Sequence, residues 1–352
     1  MKKTLIMILV MLGCMTVSAQ KINKNELKQL QVFLSEISET GISNAAALEI
    51  SNAADPATWK GVIIENGHVT SIDWKRKKLA GTLDLSNFSA LTKVDISHNK
   101  IVALSLANCK SLVELNASRN ALKTINFVGT VALEKINVSG NRLTELELSD
   151  MPNIKNLNCS NNLFVDLNVS GALKLETLNC QDCHLTNLLV DGCTSLKNLY
   201  CGYNKLTSLN LFGVENLSIL NVDDNQIATL ILSGLPALNT LMCSDNHMQT
   251  LVLRDCNAMM DLICSYNDLT ELSVEGCPNL SFVDCSYNDL TELNLSNQAL
   301  LQRLLCNNNQ LTTLDVSFDQ ALTFVNCRFN FINDFRALAT PNLRMIAYRW
   351  NY

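Results

Sequence analysis

Apolar residues return at fixed offsets every 21 residues along most of this chain. Leu112, Leu115, Ala117, Leu122, Ile125 and Phe127 reappear as Leu280, Val283, Cys285, Leu290, Leu293 and Leu295. A polar mark keeps the same step, at Asn99, Asn120, Asn141 and Asn162, then at Asn204, Asn225, Asn246, Asn267, Asn288, Asn309, Asn330 and Asn351. Cys183 stands in the one rung between them. Units that repeat at this period bury their apolar faces only against one another, which predicts a solenoid.

Within a rung, Leu241 and Cys243 share one phase and Met242 the other. That is the period of a short strand, with Leu and Cys inward and Met outward. The asparagine follows where the chain leaves the strand, so its amide is expected to bond backbone groups that the sheet no longer pairs. In the second half of each rung, pairs such as Leu293 and Leu295 predict another short strand. No stretch between units is long enough for a full helix. The return side is therefore expected to be extended or a short 3₁₀ turn, with Gly171, Gly192, Gly213, Gly234, Gly276 and Asn297 at its corners.

The segment before the repeats reads differently. Leu27, Leu30, Leu34 and Ile37 follow helical spacing, with Asn25 as N-cap and Gly41 as stop, and a second short helix is expected around Ala45 to Ile50. Asp55-Pro-Ala-Thr-Trp-Lys-Gly-Val62, the stretch from Asn66 to Trp74, and Leu79 to Ser86 follow. This order resembles the N-terminal caps of leucine-rich-repeat proteins, in which a helix, a Trp-x-Gly-Val turn and a first strand seal the stack. Such caps usually carry paired cysteines, and none lies between Cys14 and Cys109 here. Packing must hold the cap instead, with Trp59 and Trp74 as its plugs.

From Leu91 onward each unit reads L-x-x-L-x-(C/V/A)-S-x-N-x-L-T-x-L-x-L-S-x-x-x-x, which is similar to the leucine-rich-repeat consensus. That consensus admits N or C at the marked place, which accommodates Cys183. The resemblance covers roughly residues 55 to 352, and the architecture is similar to that of the internalin class of bacterial surface proteins, though with its own 21-residue unit. It implies a right-handed superhelix with a parallel sheet on its concave face and a helical N-terminal cap. The expected division is a signal peptide over 1–19, a cap over 20–68 and the solenoid over 69–352, the last comprising a cap unit, twelve 21-residue units and a terminal partial unit.

The first residues sharpen the class. Met1-Lys-Lys and an apolar run from Leu5 to Leu12 have the form of a bacterial secretory signal, with Val17-Ser18-Ala19 placing cleavage before Gln20. Met11-Leu12-Gly13-Cys14 resembles a lipobox and offers lipid anchoring at Cys14 as the rival outcome. The run is too short to span a bilayer, and no later segment qualifies as a transmembrane segment. The expected location is secreted, periplasmic or on the cell surface. A net charge of −6 argues against nucleic acid as a general partner.

Eight cysteines share the inward phase: Cys159, Cys180, Cys201, Cys243, Cys264, Cys285, Cys306 and Cys327. Cys109, Cys193, Cys256 and Cys277 share a second phase. Secretion favours disulfides, but parallel side chains stacked in register rarely offer the perpendicular torsion a disulfide needs. A reduced, buried ladder is the expectation.

No catalytic constellation emerges. His184 and His247 share a phase but lie three rungs apart, about 14 Å at the strand spacing, and no nucleophile elbow, phosphate loop or zinc-site spacing is present. Asp223, Asp224 and Asp245 read as a solvated acidic edge. No enzyme activity, cofactor or metal is expected.

The outward columns of the strands suggest binding instead. Asn116, Asn137, Asn158 and Asn179 form a polar column towards the N-terminus, flanked by Ser118, Ser139 and Ser160. Further along, the same columns hold Tyr200, Met242, Ile263 and Leu305, with Phe282 and Phe324 on one flank and Tyr203, Tyr266, Tyr287 and Phe329 on the other. These ten are the expected contact residues for a protein partner on the concave face, because exposed aromatics mark interfaces. A glycan is the alternative ligand. Trp350 and Tyr352 are expected to close the end of the stack.

Overall fold

Stacking of short strands organises the molecule in the computed structural model, which describes residues 22–149, 151–296, 298–317, 319–337 and 340–351. The signal-like start, Cys14, Asn297 and Tyr352 lie outside the described residues. One sheet of 15 strands runs the length of the solenoid. It begins with an antiparallel pair, Val62–Glu65 and His68–Asp73, and continues from Lys93–Asp95 to Met345–Ala347 with every later strand parallel to the one before. Register follows the repeat, with Leu199, Leu220, Leu241 and Leu262 opposite one another. Leu241 and Cys243 are fully buried and Met242 lies half-buried on the outer face, as the alternation predicts.

The signature asparagines bind each turn of chain to the one before it. Asn246 donates through Nδ2 to the carbonyls of Val222, Cys243 and Ser244 at 3.0, 3.3 and 3.1 Å, and its Oδ1 accepts from the Ile227 N–H at 3.0 Å. The same pattern recurs from Asn99 to Asn330. Cys183 reproduces part of it, its thiol reaching the Cys159 carbonyl at 3.3 Å. It has no amide oxygen for the acceptor half.

The return side carries short strands in four separate sheets rather than one. They are Ala80–Asp84 with Lys100–Ser105 and Thr124–Asn126, Asp166–Asn168 with Asn187–Leu189, Thr229–Ser233 with Thr250–Arg254 and Glu271–Ser273, and Thr313–Asp315 with Asp334–Arg336. Leu293 and Leu295 do not form the strand their alternation suggests. At the first of these breaks, Leu146 and Leu148 are only partly buried and a cleft of about 670 Å³ separates them from Val169. Among the described residues the 3₁₀ helix at Pro56–Thr58 belongs to the cap, and the return segments are extended chain and turns. Gly171, Gly192, Gly213 and Gly234 take positive φ at the corners. Gly276 does not, and is required by crowding: a Cβ there would sit 2.5 Å from the Asp255 nitrogen.

A buried polar column runs beside these corners. Cys109, Cys193 and Gln298 each donate to the backbone carbonyl 24 residues earlier, at 3.0, 3.1 and 3.2 Å. Asp319 holds the same place one rung on from Gln298 and, as a carboxylate, has no hydrogen to give. Both its oxygens and Gln298 Oε1 are buried without a hydrogen-bond partner among the described residues.

The N-terminal helix spans Lys24–Ser35, capped by Asn23 rather than Asn25: the Asn23 side chain accepts from the N–H of Asn25 and of Glu26. Ile37 falls outside the helix and is exposed, and the second helix is the short turn Asn44–Ala47. Trp59 and Trp74 are buried as plugs, with Phe33 stacked on Trp74 at 5.7 Å. At the other end Trp350 does not cover the core. It is 54% exposed and stacks on Phe329, while Tyr348 packs edge-on against Phe335 and donates to the Ile332 carbonyl. No helix among the described residues is long and apolar enough to cross a membrane.

Each described cysteine is a free, buried thiol. Burial pushes the thiols of Cys201 and Cys285 up to about 12, so they stay protonated and unreactive at neutral pH.

Candidate functional site

The outer face of the long sheet offers three parallel columns of side chains: the first strand residue, the third, and the residue just before each signature position. A shallow hollow of about 460 Å³ lies on this face, lined from Lys93 and Asn116 across to Thr177 and Tyr200. The hollow extends over neighbouring strands from Lys93–Asp95 to Asn198–Tyr200.

The third column's N-terminal half is committed to local structure. Oδ1 of Asn116, Asn137 and Asn158 accepts from both the N–H and the hydroxyl of Ser118, Ser139 and Ser160, the hydroxyl bonds being 2.7, 2.7 and 2.8 Å. These asparagines close the turn after each strand, and Ser118 and Ser160 are buried beneath them. Lysines and glutamates pair across rungs beside them, with Glu114 between Lys93 and Lys135 at 3.0 Å each. Both lysines hold the Glu114 carboxyl below its usual range. Exposed pairs of this kind contribute little stability.

The column before the signature position has a backbone property that side-chain pattern does not reveal. Every residue in it adopts left-handed φ: His98, Arg119, Gly140, Asn161, Asp182, Tyr203, Asp224, Asp245, Tyr266, Tyr287, Asn308, Phe329 and Trp350, between 51° and 72°. Asn, Asp and Gly suit that conformation; bulky aromatics are uncommon in it. Tyr203, Tyr266, Tyr287 and Phe329 are nevertheless placed there with 57%, 51%, 43% and 49% of their surface exposed. Tyr266 and Tyr287 stack with ring centroids 4.3 Å apart and planes 9° from parallel.

The expected aromatic patch is divided. Tyr203 is separated from the Tyr266 stack by Asp224 and Asp245, and the Asp224 carboxylate pushes its phenol up. Burial raises the carboxyls of Asp223 and Asp245 above the usual range. Met242, Ile263 and Leu305 lie half-buried in the third column, as does Tyr200 at the rim of the hollow. Phe282 and Phe324 occupy the first column on either side of Arg303, whose guanidinium carbon lies 5.4 and 5.8 Å from their ring centroids. Arg303 was not among the expected contact residues, although its place 21 residues from each Phe is visible in the sequence.

Among the described residues no group of three His, Cys, Asp or Glu side chains is arranged to hold a metal ion. His68 serves the cap, its Nδ1 2.8 Å from Glu26 Oε1.

No family model matches the chain, and no curated protein sequence matches it. Solved structures do. The functional domain of InlJ from Listeria monocytogenes, which includes a cysteine ladder, is similar at 25% identity over 81% of this chain, with a TM-score of 0.61. The match spans 64% of the length of that InlJ domain. YopM, a leucine-rich effector protein from Yersinia pestis, is similar at 23% identity over 74% of this chain and 78% of its own, with a TM-score of 0.54. The plant peptide hormone receptor RGFR1, solved in complex with RGF2, matches at 20% identity over 73% of this chain and 46% of its own, with a TM-score of 0.57. The fold is a leucine-rich-repeat solenoid of the kind found in the internalin and YopM structures.

Proposed function

We propose that this leucine-rich-repeat solenoid is a non-enzymatic recognition module that binds a protein partner on the outer face of its long sheet. The observation that carries the reading is the Tyr266–Tyr287 stack. Two bulky residues occupy a left-handed backbone position that Asn, Asp or Gly would fill at lower cost, and they leave their rings half-exposed. Strain retained where it exposes aromatic surface points to a contact site, since tyrosine is among the residue types that dominate interface energy. The contact set is Tyr200, Tyr203, Met242, Ile263, Tyr266, Phe282, Tyr287, Leu305, Phe324 and Phe329. InlJ, YopM and RGFR1 supply a precedent for this scaffold, and RGFR1 was solved with a bound ligand. The signal-like start supports a partner outside the cytoplasm.

A glycan is the second reading. Tyr287, Asn308 and Phe329 follow one another in a single column, setting an amide between two rings about 10 Å apart at the rung spacing. That gap and chemistry suit a sugar ring.

The test is capture from intact cells and extracts by the wild-type chain, by Tyr266→Ala/Tyr287→Ala and by Asn137→Ala/Asn158→Ala, alongside a glycan array. A protein retained by the wild type and the asparagine variant, but lost by the tyrosine variant, is the expected result. Array binding without such a protein overturns it in favour of the glycan.

A further inference from the structure

Arg303 is held between two aromatic planes with nothing to pair its charge. Its guanidinium sits against Phe282 and Phe324 at 5.4 and 5.8 Å, and neither a hydrogen bond nor an ion pair engages it among the described residues. Asp284, on the neighbouring strand, accepts instead from the N–H and hydroxyl of Ser286 at 3.0 and 2.6 Å. The two rings flank the guanidinium and limit the rotamers open to it. A guanidinium fixed in this way loses little entropy on gaining a bidentate partner.

On its C-terminal side the surroundings share its sign. Over residues 301–352 the arginines are Arg303, Arg328, Arg336, Arg344 and Arg349, and the acids are Asp315, Asp319 and Asp334. Asp315 and Asp334 lie in return-side strands, Asp319 is buried, and Arg336 is paired to Asp334 at 2.6 Å. That leaves Arg303, Arg328, Arg344 and Arg349 exposed, in or beside the strands of the long sheet, with no acid among them. Towards the middle of the solenoid the same face carries Asp223, Asp224, Asp245, Asp261 and Asp284. The recognition face is thus positive at its C-terminal end and negative before it.

We propose that Phe282, Arg303 and Phe324 form an anchor for a carboxylate on an acidic peptide segment of the partner, with Arg328, Arg344 and Arg349 steering that segment onto the end of the face. This rests on the reading of the long sheet as a protein-binding face and adds the chemistry of what binds there. The guanidinium takes one carboxylate through two parallel N–H···O bonds, and the rings supply the apolar wall that excludes water from it.

The test uses a fluorescent hexaglutamate peptide as probe, with a hexaglutamine peptide and a heparin-derived hexasaccharide beside it, titrated in low and moderate salt. The wild-type chain is expected to bind hexaglutamate and not hexaglutamine. Arg303→Lys, which keeps the charge and loses the fork, should weaken it at least about tenfold. Phe282→Leu/Phe324→Leu should weaken it as well, while Arg336→Gln on the return side should leave it unchanged. Circular dichroism melts confirm that each variant is folded. Equal losses from Arg303→Lys and Arg336→Gln, wild-type binding by Arg303→Lys, or no hexaglutamate binding at all overturns the anchor. Preference for the hexasaccharide over the peptide overturns the choice of an acidic peptide. A captured partner that needs Tyr266 and Tyr287 but tolerates Arg303→Gln would sink this inference alone and leave the protein-binding reading standing.

Discussion

Asn204 is tied to Leu185 across one full rung: its Oδ1 accepts from the Leu185 N–H at 2.8 Å and from the Cys183 N–H at 3.1 Å. Its Nδ2 donates to the Cys180, Cys201 and Gly202 carbonyls at 3.0, 2.9 and 3.1 Å. Asn204→Ala leaves those buried backbone groups unpaired and should lower stability by roughly 1 to 3 kcal/mol. Binding at Tyr266 and beyond should persist. A denaturant melt identical to that of the wild type would refute the structural role.

The inward cysteines should behave as protected thiols. Alkylating the native protein should label few of them, and alkylating after unfolding without reductant should label most, because burial rather than oxidation conceals them. Mass-spectrometric detection of stable links between Cys264 and Cys285, or between other neighbours in that column, would contradict this.

Partner binding should depend on the stacked tyrosines more than on the asparagine column. Truncating aromatic anchors at an interface centre commonly costs about 2 kcal/mol or more, so Tyr266→Ala/Tyr287→Ala should raise Kd at least about thirtyfold. Asn137→Ala/Asn158→Ala should change Kd far less while lowering the melting temperature, since those amides close turns through the Ser139 and Ser160 hydroxyls, Ser160 being buried. Equal effects of the two pairs on Kd would show that the wrong end of the face has been chosen.

Asp319 should make stability fall with rising pH. Burial, helped by the Asp315 charge, pushes its carboxyl up to about 7, against about 4 in an unfolded chain. Between those values the folded chain holds a proton that the unfolded chain has lost. Stability from this group is therefore greatest below about pH 4, falls as pH rises to about 7 and is level above. Asp319→Asn supplies an N–H donor where Gln298 already uses one, and should flatten the slope between urea melts at pH 5 and 7.5. An unaltered slope would mean the carboxyl finds a partner in solution.

The parts of the fold written in side-chain period were legible in the sequence. The rung, the inward cysteines and the bonding role of the asparagines all follow from which positions recur, because stacking demands the same chemistry at the same place. Backbone handedness is not written that way. The left-handed column holds His, Arg, Gly, Asn, Asp, Tyr, Phe and Trp, so its shared φ leaves no common residue type, and its tyrosines read only as exposed aromatics. Arg303 went unread for a related reason: its role comes from Phe282 and Phe324 on adjacent strands, 42 residues apart from each other. Proximity to the last residues suggests Trp350 as a closing residue, whereas its register keeps it in the outward column. Breaks in the return side depend on how far neighbouring segments stand apart, which the alternation of Leu293 and Leu295 does not encode.

The regular step of the left-handed column also works as a ruler. Tyr203 and Tyr266 are three rungs apart, about 14 Å along the stack. Because the backbone conformation is the same at each rung, side chains there can be exchanged without repacking the interior, and separations between contact points change only in whole rungs. A partner surface reaching both Tyr203 and the tyrosine stack must therefore extend at least that distance, and a shorter one engages a single group of rungs. Selectivity for a ligand's length can thus be set by which rungs carry aromatics and which carry aspartate, independently of the packing that holds the solenoid together.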